Sequence, residues 1–122
     1  MNTIQIAKKY VELCKAHQHQ TILETLFSPD VVSVEAAAPP GGQKETRGLK
    51  AVAQKGKQWV ENHELHEARV DGPWPHGDRF IVRFAYDVTQ KATGKRIKME
   101  EAALLTVENG KIVREEFFYV TG

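Results

Sequence analysis

The stretch "RIKMEEAALLTVENGKIVREEFFYV", residues 96–120, constrains this chain most, because it reads as two β-strands joined by a tight turn at "VENGKI". Side chains alternate faces along a strand, so Glu100-Glu101 and Glu115-Glu116 each send one carboxylate to either side. Which carboxylates face inward depends on the turn. A two-residue type I′ turn at Asn109-Gly110 sets Val107 opposite Ile112 and Leu105 opposite Arg114. A three-residue loop, Glu108-Asn109-Gly110, sets Val107 opposite Lys111, Ala103 opposite Glu115 and Glu101 opposite Phe117. A slip of one residue exchanges the two faces of the last strand. The three-residue register is favoured, because it gathers Met99, Glu101, Ala103, Leu105, Val107, Val113, Glu115, Phe117 and Tyr119 on one apolar face. Lys98, Glu100, Ala102, Leu104, Thr106, Ile112, Arg114, Glu116 and Phe118 then share the other.

A carboxylate among Phe, Tyr and Leu loses its water, so its charged form is disfavoured and its pKa rises. Such groups serve as acids, bases or ligand anchors. The plainer alternative puts Glu101 or Glu115 at a sheet rim, reaching water or a lysine.

The rest of the chain sorts by period. Residues 3–16 form an amphipathic helix with Ala7, Tyr10, Val11 and Cys14 on one stripe. "HQHQTILETLF" predicts a second, short helix that "SPD" stops at Pro29. "VVSVEA" (31–36) is a β-branched strand, and "AAPPGGQKET" (37–46) is a loop by its punctuation. From Gly48 to about His63, Leu49, Val52, Ala53, Gly56, Trp59 and Val60 recur at helical spacing. Beyond this the period is two: "LHEARVDG" starts a strand, "PWPHGD" breaks or kinks it, and "RFIVRFAYDVT" places Phe80, Val82, Phe84, Tyr86 and Val88 on one face. "QKATGK" is a hairpin turn. Helices followed by a run of antiparallel strands predict an α+β domain over residues 1–122.

Composition limits the partners. Its 122 residues suit one domain, and a formal net charge of +1 gives no electrostatic reason to expect nucleic acid or an anionic membrane. No stretch has the apolar length of a bilayer span, and Lys8 and Lys9 fall where a signal peptide would stay apolar. A single cysteine, Cys14, excludes an internal disulfide and suits a reducing compartment, so a cytoplasmic protein is expected.

Several motifs together resemble the nuclear transport factor 2-like superfamily, in its SnoaL-like and ketosteroid isomerase-like branch. They are "KKYVELCKA" with its helical aromatic, the "LFSPDVVSVEA" step into the first strand, "RGLKAV" opening a third helix, and the ending "LLTVENGKIVREEFFY". The resemblance implies a cystatin-like cone, in which three helices from the N-terminal half pack in the concave face of a curved, mainly antiparallel sheet around an internal pocket. It also implies that Ala103 and Glu115 face inward. It does not specify activity, since one such pocket serves isomerases, cyclases, dehydratases, hydrolases and non-catalytic domains.

The isomerase pattern carries over at one position. Its oxyanion-binding tyrosine falls on Tyr10, whereas its shuttling aspartate falls on Ala36 and its protonated aspartate on Ala103. Steroid isomerisation by that route is therefore not expected. The acidic residue of SnoaL-type cyclases, near the end of the last strand, is replaced by Val120 and Thr121. The chain offers Glu101 and Glu115 instead, on the same two strands at other heights.

Tyr10, Glu101 and Glu115 are thus the candidate catalytic groups, with Val34, Trp59, Val82, Phe84, Tyr86, Met99, Ala103, Phe117 and Tyr119 as candidate pocket lining. Tyr10 is equally readable as a core aromatic with its hydroxyl on a backbone carbonyl. Trp59 and Trp74 read as packing residues or pocket walls, and Cys14 as a small hydrophobe. The five histidines have no metal-like spacing; His63 suits a helix C-terminus, and His76 is a loop residue. No metal and no cofactor are expected. "KATGKRIK" is a charged hairpin tip, and Arg83 and Arg114 on the outer face suit pairing with Asp87, Glu100 or Glu116.

That outer face also carries Ile81, Ala85, Ala102, Leu104, Ile112 and Phe118, more apolar than a solvated sheet face would be. Proteins of the resembled family pair back to back there, so a two-fold homodimer is expected. Two functional readings stay open. One is a small-molecule pocket protein with acid–base chemistry on an apolar substrate, an isomerase or lyase of the ketosteroid isomerase-like type without its aspartates. The other is a non-catalytic ligand-binding or dimerisation module.

Overall fold

Three helices lie against one face of a six-stranded sheet in the computed structural model, which describes residues 1–39 and 41–120. Thr121, one of the two residues at the cyclase-type position, lies outside those residues.

Helix α1 (Thr3–Lys15) starts at a capping box, in which the Asn2 side chain accepts from the Gln5 backbone and Gln5 reciprocates, both at 2.9 Å. Ile6, Ala7, Tyr10, Val11 and Leu13 form its buried stripe, with Cys14 half-buried at the margin. Helix α2 (His19–Thr25) buries Ile22 and Leu23. Strand β1 (Phe27–Val34) begins earlier than expected and tolerates Pro29, because Pro29 is exposed within the irregular stretch between Phe27 and Val32.

The predicted 37–46 loop also needs correction, since Glu45–Arg47 forms a short strand, β2, on the free edge of β1. Helix α3 (Leu49–Asn62) follows Gly48, whose φ of 90° suits glycine. Val60, expected on the inward stripe of α3, is 62% exposed. Strands β3 (His63–His76), β4 (Arg79–Gln90), β5 (Lys95–Glu108) and β6 (Lys111–Phe118) complete a sheet of order β2-β1-β6-β5-β4-β3. All neighbours are antiparallel except β1 and β6. The "PWPHGD" kink is a register shift in β3 between Asp71 and Trp74.

The β5–β6 hairpin combines parts of both expected registers. Asn109 (φ 51°) and Gly110 (φ 75°) are both left-handed, as a two-residue type I′ turn requires, and Val107 pairs with Ile112. The register then shifts, because Thr106 pairs with Arg114 and leaves Val113 as an extra, bulged residue. The bulge restores the inward set beyond it: Leu105, not Ala103, opposes Glu115, and Ala103 opposes Phe117. Glu101 has Phe84 as its partner on β4. Ile112, assigned to the outer face from the sequence, is fully buried, and Val113 is the half-buried one.

The core therefore fills the space between α1, α2 and the sheet, with Ile6, Ile22, Leu26, Val31, Phe80, Val82, Leu105 and Ile112 each 0–1% exposed. No described helix is long and apolar enough to cross a membrane.

Candidate functional site

The cross-strand pairings stack the inner face in rows. Phe80, Leu105, Glu115 and Ser33 make one, and Val82, Ala103 and Phe117 the next. Phe84 with Glu101, then Tyr86 with Met99, follow toward the far end. The face thus changes along its length from hydrocarbon to a mixture of acids and aromatics.

Glu115 and Ser33 are the buried polar residues of this face, at 6% and 0% exposure. Burial raises the Glu115 pKa, and the negative charge of Glu35 adds to that; a hydrogen bond with Ser33 and the Lys55 ammonium oppose it. Lys55 Nζ, projecting from α3, donates to Ser33 Oγ and, at 2.9 Å, to Glu35 Oε1. The same ammonium lies 5.5 Å from the centre of the Phe117 ring. Because the Ser33 oxygen accepts from lysine, its own proton remains for Glu115. On the other side, Tyr119 Oη donates to Glu35 Oε2 at 2.9 Å.

Glu101 stands next to this network. Its carboxyl is pushed up to about 7, by burial first, then by Glu35 and Glu115, with Lys55 partly offsetting them. No hydrogen bond enters that balance, so the proton on Glu101 is set by desolvation and charge alone.

Tyr10 is 4% exposed and stands edge-on to Phe80, with ring centres 5.7 Å apart. Its hydroxyl, pushed well above its ordinary pKa mainly by burial, bonds with the Cys14 side chain one turn on. Cys14 itself is pushed up to about 12 by burial, so it stays a thiol. Tyr10 is therefore a buried neighbour of Glu115 and Tyr86, with a hydroxyl already engaged.

The expected lining divides. Val82, Phe84 and Ala103 belong to the packed core at 0–5% exposure. Trp59, Tyr86, Met99, Phe117 and Tyr119 are half-buried, with Trp59 5.4 Å from Tyr86 and stacked 4.5 Å from His63. Val34 turns to the opposite face, because β1 buries Val31 and Ser33 and alternation sends Val34 away from them. His63 Nδ1 donates to the Trp59 carbonyl at 2.8 Å and so ends α3 as its position predicted. Trp74 is 55% exposed and lines nothing inward. Two surface clefts are lined by Arg47, Leu49 and Gln54 and by His19, Ala53 and Val60; neither includes the inward acids. Among the described residues no group of three metal-binding side chains occurs.

Glu35, Ser33 and Lys55 escaped the sequence reading. Val31, Ser33 and Glu35 follow the period of two, and Lys55 lies three residues after Val52 and four before Trp59, so both signals were present.

Comparison with known proteins adds to this geometry. The model of one family, described as the SnoaL-like domain, matches residues 1–119. No curated protein matches the chain. A solved structure from Mesorhizobium loti, of a candidate SnoaL-like polyketide cyclase also described as a carbohydrate phosphatase, is 43% identical over 98% of this chain and 100% of that one, with a TM-score of 0.92. A Xanthomonas campestris protein of unknown function with a cystatin-like fold is 26% identical over 99% of this chain and 92% of that one, with a TM-score of 0.78. An NTF2-like protein from Burkholderia thailandensis is 21% identical, covers 98% of this chain and 92% of its own, and superposes with a TM-score of 0.83.

Proposed function

The chain belongs to the SnoaL-like domain family, and on that premise we propose that its inner face at Glu101 is an acid–base site for a small, apolar, carbonyl-bearing molecule. The placement of Glu101 carries this reading: a half-buried carboxyl, pushed up to about 7, with no hydrogen bond among the described residues and beside the Lys55–Glu35 pair. A general base works best when its pKa lies near the operating pH, and burial moves this carboxyl toward that range. The half-buried aromatics Trp59, Tyr86 and Phe117 supply walls for an apolar body. The Mesorhizobium loti relative is described as a candidate polyketide cyclase. Removing a proton next to a carbonyl, the first step of closing a carbon ring on a polyketide, is chemistry that Glu101 suits.

The test is hydrogen–deuterium exchange at the carbon next to the carbonyl in a panel of cyclic ketones and diketones in D2O. Wild type is expected to exceed buffer, and Glu101→Gln to lose about 10²-fold or more of the excess. Equal rates in both proteins, with Glu101 titrating in the ordinary carboxylate range, would remove the reading.

One observation favours the second reading, a non-catalytic ligand-binding or dimerising module: Val82, Phe84 and Ala103 fill space that a deeper pocket would need. On the outer face Ile81 and Phe118 are 42% and 50% exposed, flanked by half-buried Ala85, Ala102 and Leu104. We propose that a second copy of the chain covers this patch. Sedimentation at micromolar concentration is expected to give a dimer that Phe118→Glu splits; a wild-type monomer would end that proposal.

A further inference from the structure

Three carboxylates on the inner face share one ammonium. Glu35 directly follows β1, Glu101 comes from β5 and Glu115 from β6, while Lys55 on α3 is a cation that the geometry brings to all three. Two of its donors are committed, to Ser33 Oγ and Glu35 Oε1, and the Phe117 ring beneath holds the ammonium on the sheet side. We infer that Lys55 is the positioning residue of this site. Its ion pair holds the Glu35 side chain in place, its bond to Ser33 turns the hydroxyl proton toward Glu115, and Glu101 is left as the inward acid free to take up and release a proton.

This inference rests on the acid–base reading above and assigns a role that the reading does not need. The three acids differ in what each one faces. Glu35 accepts from two donors, Lys55 and Tyr119, which fix its carboxyl in place. Glu115 is enclosed, with Ser33 as its donor and Tyr10 and Cys14 of α1 above it, so it gives up a proton at a high desolvation cost. Glu101 faces Glu35, Glu115 and Lys55, and it has Tyr86 of β4 beside it, with no hydrogen-bond donor among the described residues. Removing the ammonium would leave Glu35 and Glu115 acting on Glu101 without compensation. The division of roles would then fail even though every acid remained.

Lys55→Met keeps the stem over Phe117 and deletes the charge and donors. With glutamate side chains 13C-labelled, the Glu101 carboxyl is expected to titrate about one pH unit higher in Lys55→Met than in wild type, as loss of a nearby opposite charge requires. Lys55→Arg is expected to bring the midpoint back toward wild type. A purely structural lysine would lower stability in both variants and leave the Glu101 midpoint in place; that result would overturn the inference. Should Lys55→Met not fold, Glu35→Gln decides in its place. It removes the negative neighbour while keeping acceptor oxygen for Lys55, and the Glu101 midpoint is expected to fall; an unchanged midpoint would overturn the inference equally. These titrations are read whether or not any ketone exchanges, so failure here is distinct from failure of the acid–base reading.

Discussion

Glu100 and Glu101 are chain neighbours, as are Glu115 and Glu116, yet the two members of each pair have opposite surroundings. On the outer face Glu100 accepts from Arg83 at 2.7 Å, Glu116 from Arg114 at 3.4 Å, and Asp87 from Arg96 at 2.9 and 3.0 Å. There the arginine beside Asp87 lowers its pKa, mainly through the hydrogen bond. On the inner face the carboxyls of Glu101 and Glu115 are raised, because burial is the largest influence and is only partly offset, by the Lys55 ammonium at both and by the Ser33 hydrogen bond at Glu115. The sign of the shift thus differs between Asp87 on the outer face and the two inward glutamates. The difference is not in the residue but in how much water each face keeps and how many cations it supplies.

The largest consequence is for charge reversal. Glu115→Lys puts an ammonium into a site that is 6% exposed and already next to Lys55. It is expected to cost about 3–5 kcal/mol, the range for an uncompensated buried charge. Glu116→Lys, one residue on, is expected to stay within about 1 kcal/mol, since its partner Arg114 is itself 43% exposed. Urea unfolding of the two variants measures both, and comparable losses would break the distinction between the faces.

Stability against pH sharpens the comparison at a smaller scale. Glu101 has a folded pKa of about 7 against an ordinary 4.5, so the folded chain holds this proton more tightly than the unfolded one. Its contribution is complete below about pH 4.5 and is lost as pH rises through about 7, and buried Glu115 acts in the same direction. The loss for Glu101 is expected to be on the order of 1–3 kcal/mol. Glu101→Gln should flatten that part of the profile. A wild-type protein that gained stability between pH 5 and 7 would contradict the inward placement of both acids.

The inward placement of Glu101 was legible in the sequence, but the route to it was not. Alternation along 80–88 and along 99–107 fixed the face of β4 and β5, because a period of two is a local property of one strand. The bulge at Val113 is a property of a pair, and nothing in "GKIVREE" states that Thr106 will pair with Arg114 rather than Val113. The faces were therefore right beyond the bulge and wrong at Ile112, which the two-residue turn carries inward. Strand β2 was hidden for a similar reason: three residues of "ETR" become a strand only because β1 has a free edge. At the site, the acid lies at Glu35, one residue before Ala36, the position where the resembled isomerases carry an aspartate. A lysine on a helix ordinarily reads as solvated, whereas the Lys55 ammonium reaches the sheet at Ser33 and Glu35, 5.5 Å from the centre of the Phe117 ring.

The smallest expected effect belongs to the outer face. Arg83 and Glu100, with side chains 44% and 68% exposed, are joined at 2.7 Å. A double-mutant cycle to alanine should give a coupling of about 0.2–1 kcal/mol that fades in 1 M salt, where charges are screened within about 3 Å. The Glu101 midpoint should respond less to the same salt, since enclosed charges are screened less than exposed ones. A stronger outer coupling has a specific meaning. The pair lies on the face where Ile81 and Phe118 are exposed, so covering that face with a second copy would remove water from Arg83 and Glu100 as well. The coupling should then grow with protein concentration in wild type and stay small in Phe118→Glu, which turns an ion-pair measurement into a check on what covers the sheet.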